Sequence, residues 1–331
     1  MKHHNLCLLG FGNVNRALVR LLDAKKDELR TRYGIEWRIA GLATRRIGWW
    51  AWPDGITPDR LLAEPRPEPL FSVNDMREWL AAARASVLFE ATSLNPQTGQ
   101  PAIDYIRTAL DSGAHVVTAN KGPVVHAYRE LRDFAAMRGK RFMFESTVMD
   151  GAPIFSLFRE TLPAANLLRF RGILNSTTNF IIGEIESGST FDEAVKKAQA
   201  IGIAETDPSA DVDGWDASVK VAALRTVLMD APLKPQKVQR EGIRGLTPEA
   251  IRAARAEGKP FKLVCRADRT SATVRPEQLP LADPLANVSG TSSIIHFETD
   301  TLTGLTITEH NPGPETTAYG MLADFVNAAK E

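Results

Sequence analysis

The sequence predicts an α/β protein, a doubly wound parallel sheet joined to a second domain of α+β type. Three observations carry that prediction. Short apolar runs alternate with helical patterns over roughly the first 145 residues, as parallel βαβ units require. A glycine turn, Gly10-Phe11-Gly12, lies between the first run and the first helix. Beyond about residue 145 the alternation gives way to separate groups of helices and strands. A chain of 331 residues is long for one core, so two domains are expected.

The elements follow in order. Residues 6–9 form an apolar strand feeding Gly10, and a helix spans 14–22. Residues 37–43 are a second strand, followed by Trp49-Trp50-Ala51-Trp52, read as loop packing, with an adenine cover or a contact patch as alternatives. Residues 87–91 are the next strand, ending on the polar turn Thr92-Ser93-Leu94-Asn95. A helix over about 101–112 leads to a strand at 115–118 that closes on Ala119-Asn120-Lys121-Gly122. In the second part, 168–174 is a strand. Thr190-Phe191-Asp192-Glu193 is a capping box opening a helix that stops at Gly202. Helices at 216–229 and 248–257 and strands at 262–267, 272–275, 293–298 and 305–308 complete it. The last apolar stretch, 316–329, has helical spacing and is expected to pack back on the first domain.

Composition narrows the function classes. Forty basic and forty acidic residues give no electrostatic reason to expect nucleic acid or an anionic membrane as partner. The apolar run at 6–9 is too short for a signal core or a membrane span. Cys7 and Cys265 sit far apart in strand-like runs and read as buried free thiols; the six histidines have no zinc-ligand spacing. The expectation is a cytoplasmic protein with a small-molecule substrate and no transition-metal site.

Gly10-Phe11-Gly12-Asn13-Val14-Asn15 stands where a Rossmann-type dinucleotide fingerprint belongs. Gly10 permits the tight turn. Gly12 lets a pyrophosphate approach the helix N-terminus, where unpaired N–H groups favour anions. Asn13 and Val14 open that helix, and Asn15 replaces the third glycine, asking for wider helix–strand spacing. The second strand ends Thr44-Arg45-Arg46 without the acid that usually binds an NAD ribose. Two guanidiniums suit the 2′-phosphate of NADP, leaving NAD as the alternative cofactor and solvated loop arginines as the plain reading.

Residues 205–220 crowd five carboxylates, Glu205, Asp207, Asp211, Asp213 and Asp216, ahead of Lys220. The first four surround Pro208 and Gly214 on a loop. Asp216 and Lys220 lie one turn apart at the head of an apolar helix. Such a loop suits a small cationic ligand such as an amino group, with the lysine meeting a polar reacting atom. A solvated acidic loop with an ordinary i,i+4 ion pair is the plainer alternative.

Together these segments resemble the homoserine dehydrogenase family over nearly the whole chain. The carriers are Gly10–Asn15, Thr118–Lys121, Glu145-Ser146-Thr147-Val148 with Gly151-Ala152-Pro153, Gly172–Asn179, Gly202–Pro208 and Asp211–Lys220. The resemblance implies NAD(P)-linked interconversion of aspartate 4-semialdehyde and homoserine. It implies Lys220, Lys121 and Asp216 as the proton-transfer set, and Glu205, Asp211, Ser176, Thr177 and Lys121 about the substrate. Thr92, Ser93 and Lys121 join Gly10, Gly12, Asn13, Val14, Arg45 and Arg46 about the cofactor. A monovalent cation, Na+, is implied near Glu145, Val148, Asp150 and Ala152, and a homodimer through the second domain.

The expected division is 1–144 for the dinucleotide-binding domain, 145–310 for the substrate-binding, catalytic and dimerisation domain, and 311–331 for the returning helix. No room is left for a C-terminal regulatory domain, so feedback inhibition by threonine through one is not expected. The sequence departs from the family pattern at Asn15, Ser176, Ile203 and the short turn at 311–315. These changes touch the substrate pocket more than the proton-transfer set. A dehydrogenase of another small amino- or hydroxy-aldehyde is therefore the first alternative, and a dinucleotide-binding sensor without turnover the second.

Overall fold

The computed structural model describes residues 1–66 and 68–330. It divides into two compact units, Met1–Ile154 with the segment from Gly313 onward, and Phe155–Pro312.

The first unit runs β1 (Lys2–Leu9), α1 (Asn13–Ala24), α2 (Lys26–Tyr33), β2 (Ile35–Thr44), β3 (Gly48–Ile56), α3 (Pro58–Leu62), β4 (Phe71–Val73) and α4 (Met76–Ala82). It continues with β5 (Val87–Glu90), α5 (Ala102–Asp111), β6 (His115–Thr118), α6 (Lys121–Met137) and β7 (Phe142–Met143). The strand order is β4-β3-β2-β1-β5-β6-β7. Strands β2, β1, β5, β6 and β7 pair in parallel, giving the doubly wound Rossmann-type sheet. Leu6, Leu8 and Phe89 on the strands bury against Leu18 and Leu22 of α1 and against Met321 and Phe325 of the C-terminal helix, Pro314–Ala329.

Residues 49–52 are not a loop. They lie in β3, which pairs antiparallel with β2, and β4 extends the same edge. Tryptophan favours a half-buried pleated surface, and Gly48 at φ 73° permits the reversal. Trp49 packs on Trp79 and Tyr105, with ring centroids 5.3 and 5.9 Å apart, and Trp79 Nε1 donates to the Trp50 carbonyl at 2.8 Å. Ala51 and Trp52 are buried, while Trp49 and Trp50 are half-buried.

Residues 145–154, grouped with the second domain from the sequence, lie in the first unit. The Glu145 N–H donates to Asp324 and the Ser146 hydroxyl to the Thr317 carbonyl, each at 2.7 Å, both on the C-terminal helix. Close approach is possible because Gly151 has no side chain; a Cβ there would lie 2.4 Å from the Thr316 carbonyl oxygen.

The second unit runs β8 (Leu167–Ile173), α7 (Ser176–Glu186), α8 (Phe191–Ala200), α9 (Ser209–Val212), α10 (Trp215–Leu228), β9 (Gln239–Arg240) and α11 (Pro248–Ala256). Strands β10 (Phe261–Asp268), β11 (Ala272–Gln278), β12 (Ser293–Thr299) and β13 (Leu305–Glu309) complete it, and the sheet order is β13-β12-β8-β10-β11-β9. All pairings are antiparallel except β11 with β9. Side chains alternate along β8: Phe170 is buried, while Arg169 and Arg171 face the other way onto Glu298 and Asp283. Cys7 and Cys265 are buried free thiols. Among the described residues no helix is long and apolar enough to cross a membrane.

Candidate active site

In the first unit, β1 ends at the glycine turn. Gly10 has φ 83°, and a Cβ on it would lie 2.5 Å from the Ala91 carbonyl oxygen, so the turn is closed to any side chain. Gly12 caps α1, and a Cβ there would meet nothing within 4 Å. The protein interior does not require glycine at that position; a ligand approaching the helix N-terminus would. Asn13 is exposed and Val14 half-buried on the first turn. Asn15 is wholly buried, and its Nδ2 donates to the Gly10 carbonyl at 2.7 Å. It therefore holds the turn by a hydrogen bond where a third glycine would hold it by close packing.

At the end of β2, the Thr44 hydroxyl accepts the N–H groups of Arg46 and Ile47, both at 3.3 Å. This turn leaves Arg45 and Arg46 exposed. Thr92 is half-buried and Ser93 exposed just past β5. Lys121 is the first residue of α6, whose cap is Asn120; the Asn120 Oδ1 accepts the Gly122 N–H at 3.0 Å.

The residues of the expected cation site all lie in this unit. The buried Glu145 carboxylate accepts the Ile154 N–H at 2.6 Å, and Asp150, at φ 42°, accepts the Thr317 hydroxyl at 2.6 Å. The Ala152 carbonyl also accepts from the Ile154 N–H at 2.9 Å, and the Val148 side chain is buried. No group of three or more His, Cys, Asp or Glu able to hold a metal occurs among the described residues. An ion here would depend on backbone carbonyls.

In the second unit the strand β8 ends at Leu174-Asn175, and Asn175 caps α7 by accepting the Thr178 N–H at 2.8 Å. Its other atom, Nδ2, donates to Asp211 at 2.6 Å and to Asp216 at 3.1 Å. One amide thus bridges two carboxylates. Asp211 is held above the usual carboxylate range, first by burial and then by repulsion from Asp216, with the Asn175 hydrogen bond and the charge of Lys220 pulling the other way. The Lys220 ammonium pairs with Asp216 at 3.2 Å, one helical turn away on α10, and donates to the Leu174 carbonyl at 2.7 Å. Two fixed acceptors on different elements anchor it.

Thr177 is buried and donates to the Ile203 carbonyl at 2.8 Å; Ser176 is half-buried beside it. Glu205 lies on an exposed turn, held through the backbone by Gln199, whose Nε2 donates to the carbonyls of Glu205 and Thr206 at 3.1 Å. The other two acids of the stretch have structural duties. Asp207 accepts the Ser209 N–H, and Asp213 pairs with Arg244 at 2.5 Å.

Two members of the cluster escaped the sequence reading: Asn175 and the Leu174 carbonyl. Asn175 carried a signal, an Asn three residues before Thr178 at a strand-to-helix turn. The Leu174 carbonyl had none, because any residue offers one.

A dinucleotide-type turn in one unit and an anchored lysine–carboxylate pair in the other define an NAD(P)-dependent oxidoreductase. The family model for the homoserine dehydrogenase NAD-binding domain matches residues 10–145, and that for homoserine dehydrogenase matches 153–326. The chain belongs to the homoserine dehydrogenase family. It is 34% identical to an NAD(+)-dependent homoserine dehydrogenase of Pseudomonas canavaninivorans, over 99% of this chain and 96% of that one. It is 33% identical to a homoserine dehydrogenase of Methanocaldococcus jannaschii, over 98% of each. Among solved structures, a homoserine dehydrogenase from Thiobacillus denitrificans aligns with a TM-score of 0.85 at 29% identity, over 100% of this chain and 74% of that one. A hyperthermophilic archaeal homoserine dehydrogenase in complex with NADPH aligns with a TM-score of 0.83 at 27% identity, over 99% of this chain and 98% of that one.

Proposed function

We propose that this chain interconverts L-homoserine and L-aspartate 4-semialdehyde, with Lys220 as the proton donor and acceptor at the substrate oxygen. The observation that carries this is the Lys220 ammonium fixed between Asp216 and the Leu174 carbonyl. When bound, the nicotinamide supplies or accepts the hydride at the carbon. As the aldehyde carbon gains hydride, its oxygen gains negative charge, which the Lys220 ammonium stabilises and protonates. In the reverse direction the amine takes that proton back. Asp216 keeps the ammonium in place. Lys121 is assigned to the same substrate and to the cofactor.

Asp211 and Glu205 bind the substrate's ammonium group. Asp211 suits this because a buried carboxylate beside a second one gains most from an incoming cation. Thr177 and Ser176 line the same loop. Gly10, Gly12, Asn13 and Val14 receive the pyrophosphate at the head of α1, and Thr92 and Ser93 border the cofactor. Arg45 and Arg46 favour NADP over NAD through the 2′-phosphate, which two exposed guanidiniums can grip bidentately.

A Na+ ion near Glu145, Val148, Asp150 and Ala152 belongs to this reading, since the donors are all oxygens, as a hard cation prefers. Loss of activity when sodium is replaced by choline, with recovery on its return, is the expected result. Assembly as a homodimer through the second unit and a cytoplasmic location complete it. Light scattering after gel filtration tests the assembly.

The deciding experiment follows formation of reduced cofactor with L-homoserine and NADP or NAD in parallel. Homoserine-dependent reduction, faster with NADP, is expected, and replacing Arg45 and Arg46 by Ala should erase the preference. Reduction of neither cofactor, despite measurable cofactor binding, would overturn the substrate assignment.

A further inference from the structure

We propose that Glu90 is a positioning residue that locks the cofactor-side turn and the Lys121 turn to each other. Glu90 ends the interior strand β5 and has no exposed surface. Its Oε1 accepts both the N–H of Thr92, at 2.8 Å, and the Thr92 hydroxyl, at 2.5 Å. Its Oε2 accepts the Thr118 hydroxyl at 2.6 Å from the end of β6, and the Asn120 Nδ2 donates to the Thr92 carbonyl at 3.4 Å. The Thr118 oxygen in turn accepts the Asn120 N–H at 2.9 Å, and the Asn120 Oδ1 accepts the Gly122 N–H that opens α6 at Lys121.

The result is a closed set of bonds linking the chain after β5 to the chain after β6. A buried carboxylate in a four-residue apolar strand is costly to keep unless something needs it. Packing does not: Val87, Leu88 and Phe89 supply the core at this strand. What the carboxylate supplies is two acceptor oxygens aimed at two neighbouring turns. A neutral amide of the same shape cannot accept at both ends. Thr92 and Lys121 bear on cofactor and substrate only in the reading given above, and the inference rests on that reading.

The test measures Tm, cofactor affinity by quenching of tryptophan fluorescence, and kcat for homoserine oxidation in Glu90→Gln, Thr118→Val, Thr92→Val and the Glu90→Gln/Thr118→Val pair. Thr118→Val should lower kcat by about 10- to 100-fold with cofactor affinity within a few-fold, as a shift of about 1 Å in a reacting group does. Thr92→Val should weaken cofactor binding. Glu90→Gln should show a kinetic loss, and the double variant should lose no more than the worse single one, because both cut the same linkage.

A Glu90→Gln protein with parental kcat and cofactor affinity, or with a lowered Tm and nothing else, would overturn the proposal. Should Glu90→Gln fail to fold, unchanged kinetics in both threonine variants would do the same. Lys121→Ala separates the two claims: near-parental kcat there would sink the role of Lys121 itself. An inactive Lys121→Ala beside unaffected Glu90 and Thr118 variants would sink only the positioning role.

Discussion

In the second unit Lys220 pairs with Asp216, and Asn175 bonds to both Asp211 and Asp216. In the proposed reading, removing the ammonium in Lys220→Ala should abolish turnover while leaving cofactor affinity within a few-fold; near-normal kcat would refute the assignment. Asn175 does two jobs that substitution can separate. It caps α7 and it bridges Asp211 to Asp216. Serine can cap but cannot reach two carboxylates, whereas alanine does neither. Asn175→Ser and Asn175→Ala should therefore lose kcat/KM alike, by about tenfold or more, as loss of a charge-assisted bond worth about 1.5–3 kcal/mol predicts. Only Asn175→Ala should lose a further ~1 kcal/mol of stability in urea unfolding. Asp211 gives the pH dependence. Its carboxyl is held above the ordinary range, so it takes a proton at a higher pH than a free aspartate would, and a protonated Asp211 cannot hold an ammonium. The KM for homoserine should rise as pH falls through that range, and Asp211→Asn should raise KM and flatten the dependence.

At the scale of elements, the turn at Gly10 and the cap of α8 make contrasting cases. Gly10→Ala sets a Cβ 2.5 Å from a backbone oxygen at φ 83°, with nothing flexible to yield. It should abolish cofactor binding, measured by fluorescence titration, and lower Tm. The capping box at Thr190 and Glu193 is complete and exposed, with both reciprocal bonds formed. Thr190→Ala should cost about 1 kcal/mol and leave kinetics alone. Both features were legible from the residues because each depends on groups within a few positions of one another. The strand β3 was not. Trp49–Trp52 became a sheet edge through pairing with β2 and burial against Trp79 and Tyr105, which lie 30 and more residues away. The segment 145–154 was misplaced for a similar reason, since its partners Thr317 and Asp324 come from the far end of the chain.

For the whole molecule, two histidines of the first unit bear on stability between neutral and mildly acid pH: His4 and His115 lie near Lys2, Lys140 and Arg141. Burial and then the neighbouring cations hold His115 down at about 4, and its Nδ1 accepts the Arg141 N–H at 3.1 Å, which protonation would destroy. Burial lowers His4 in the same direction, with both ring nitrogens buried and without a hydrogen-bond partner. The unfolded chain binds these protons near pH 6.5, before the folded protein does. Stability should therefore fall as pH drops from about 6.5 toward 4. Urea midpoints for the parent and for His115→Asn at pH 7 and pH 5 check this; the variant, which keeps an acceptor for Arg141, should lose less.

The sequence by itself determined the fold class, the family, the dinucleotide turn and the Asp216–Lys220 pair. Each is written in short-range spacing: a strand before two glycines, an acid and a lysine one helical turn apart. Only the tertiary structure decided that Asn175 joins Asp211 to Asp216 and that Leu174 offers its carbonyl to Lys220. It alone decided that Glu90 ties together the ends of two strands. Those contacts span 28 to 46 positions, apart from the local bond to Thr92, and use backbone atoms, amides, hydroxyls and carboxylates that every sequence supplies in plenty. No local pattern marks which of them will meet, because the meeting is set by strand order and packing rather than by the residues' own preferences.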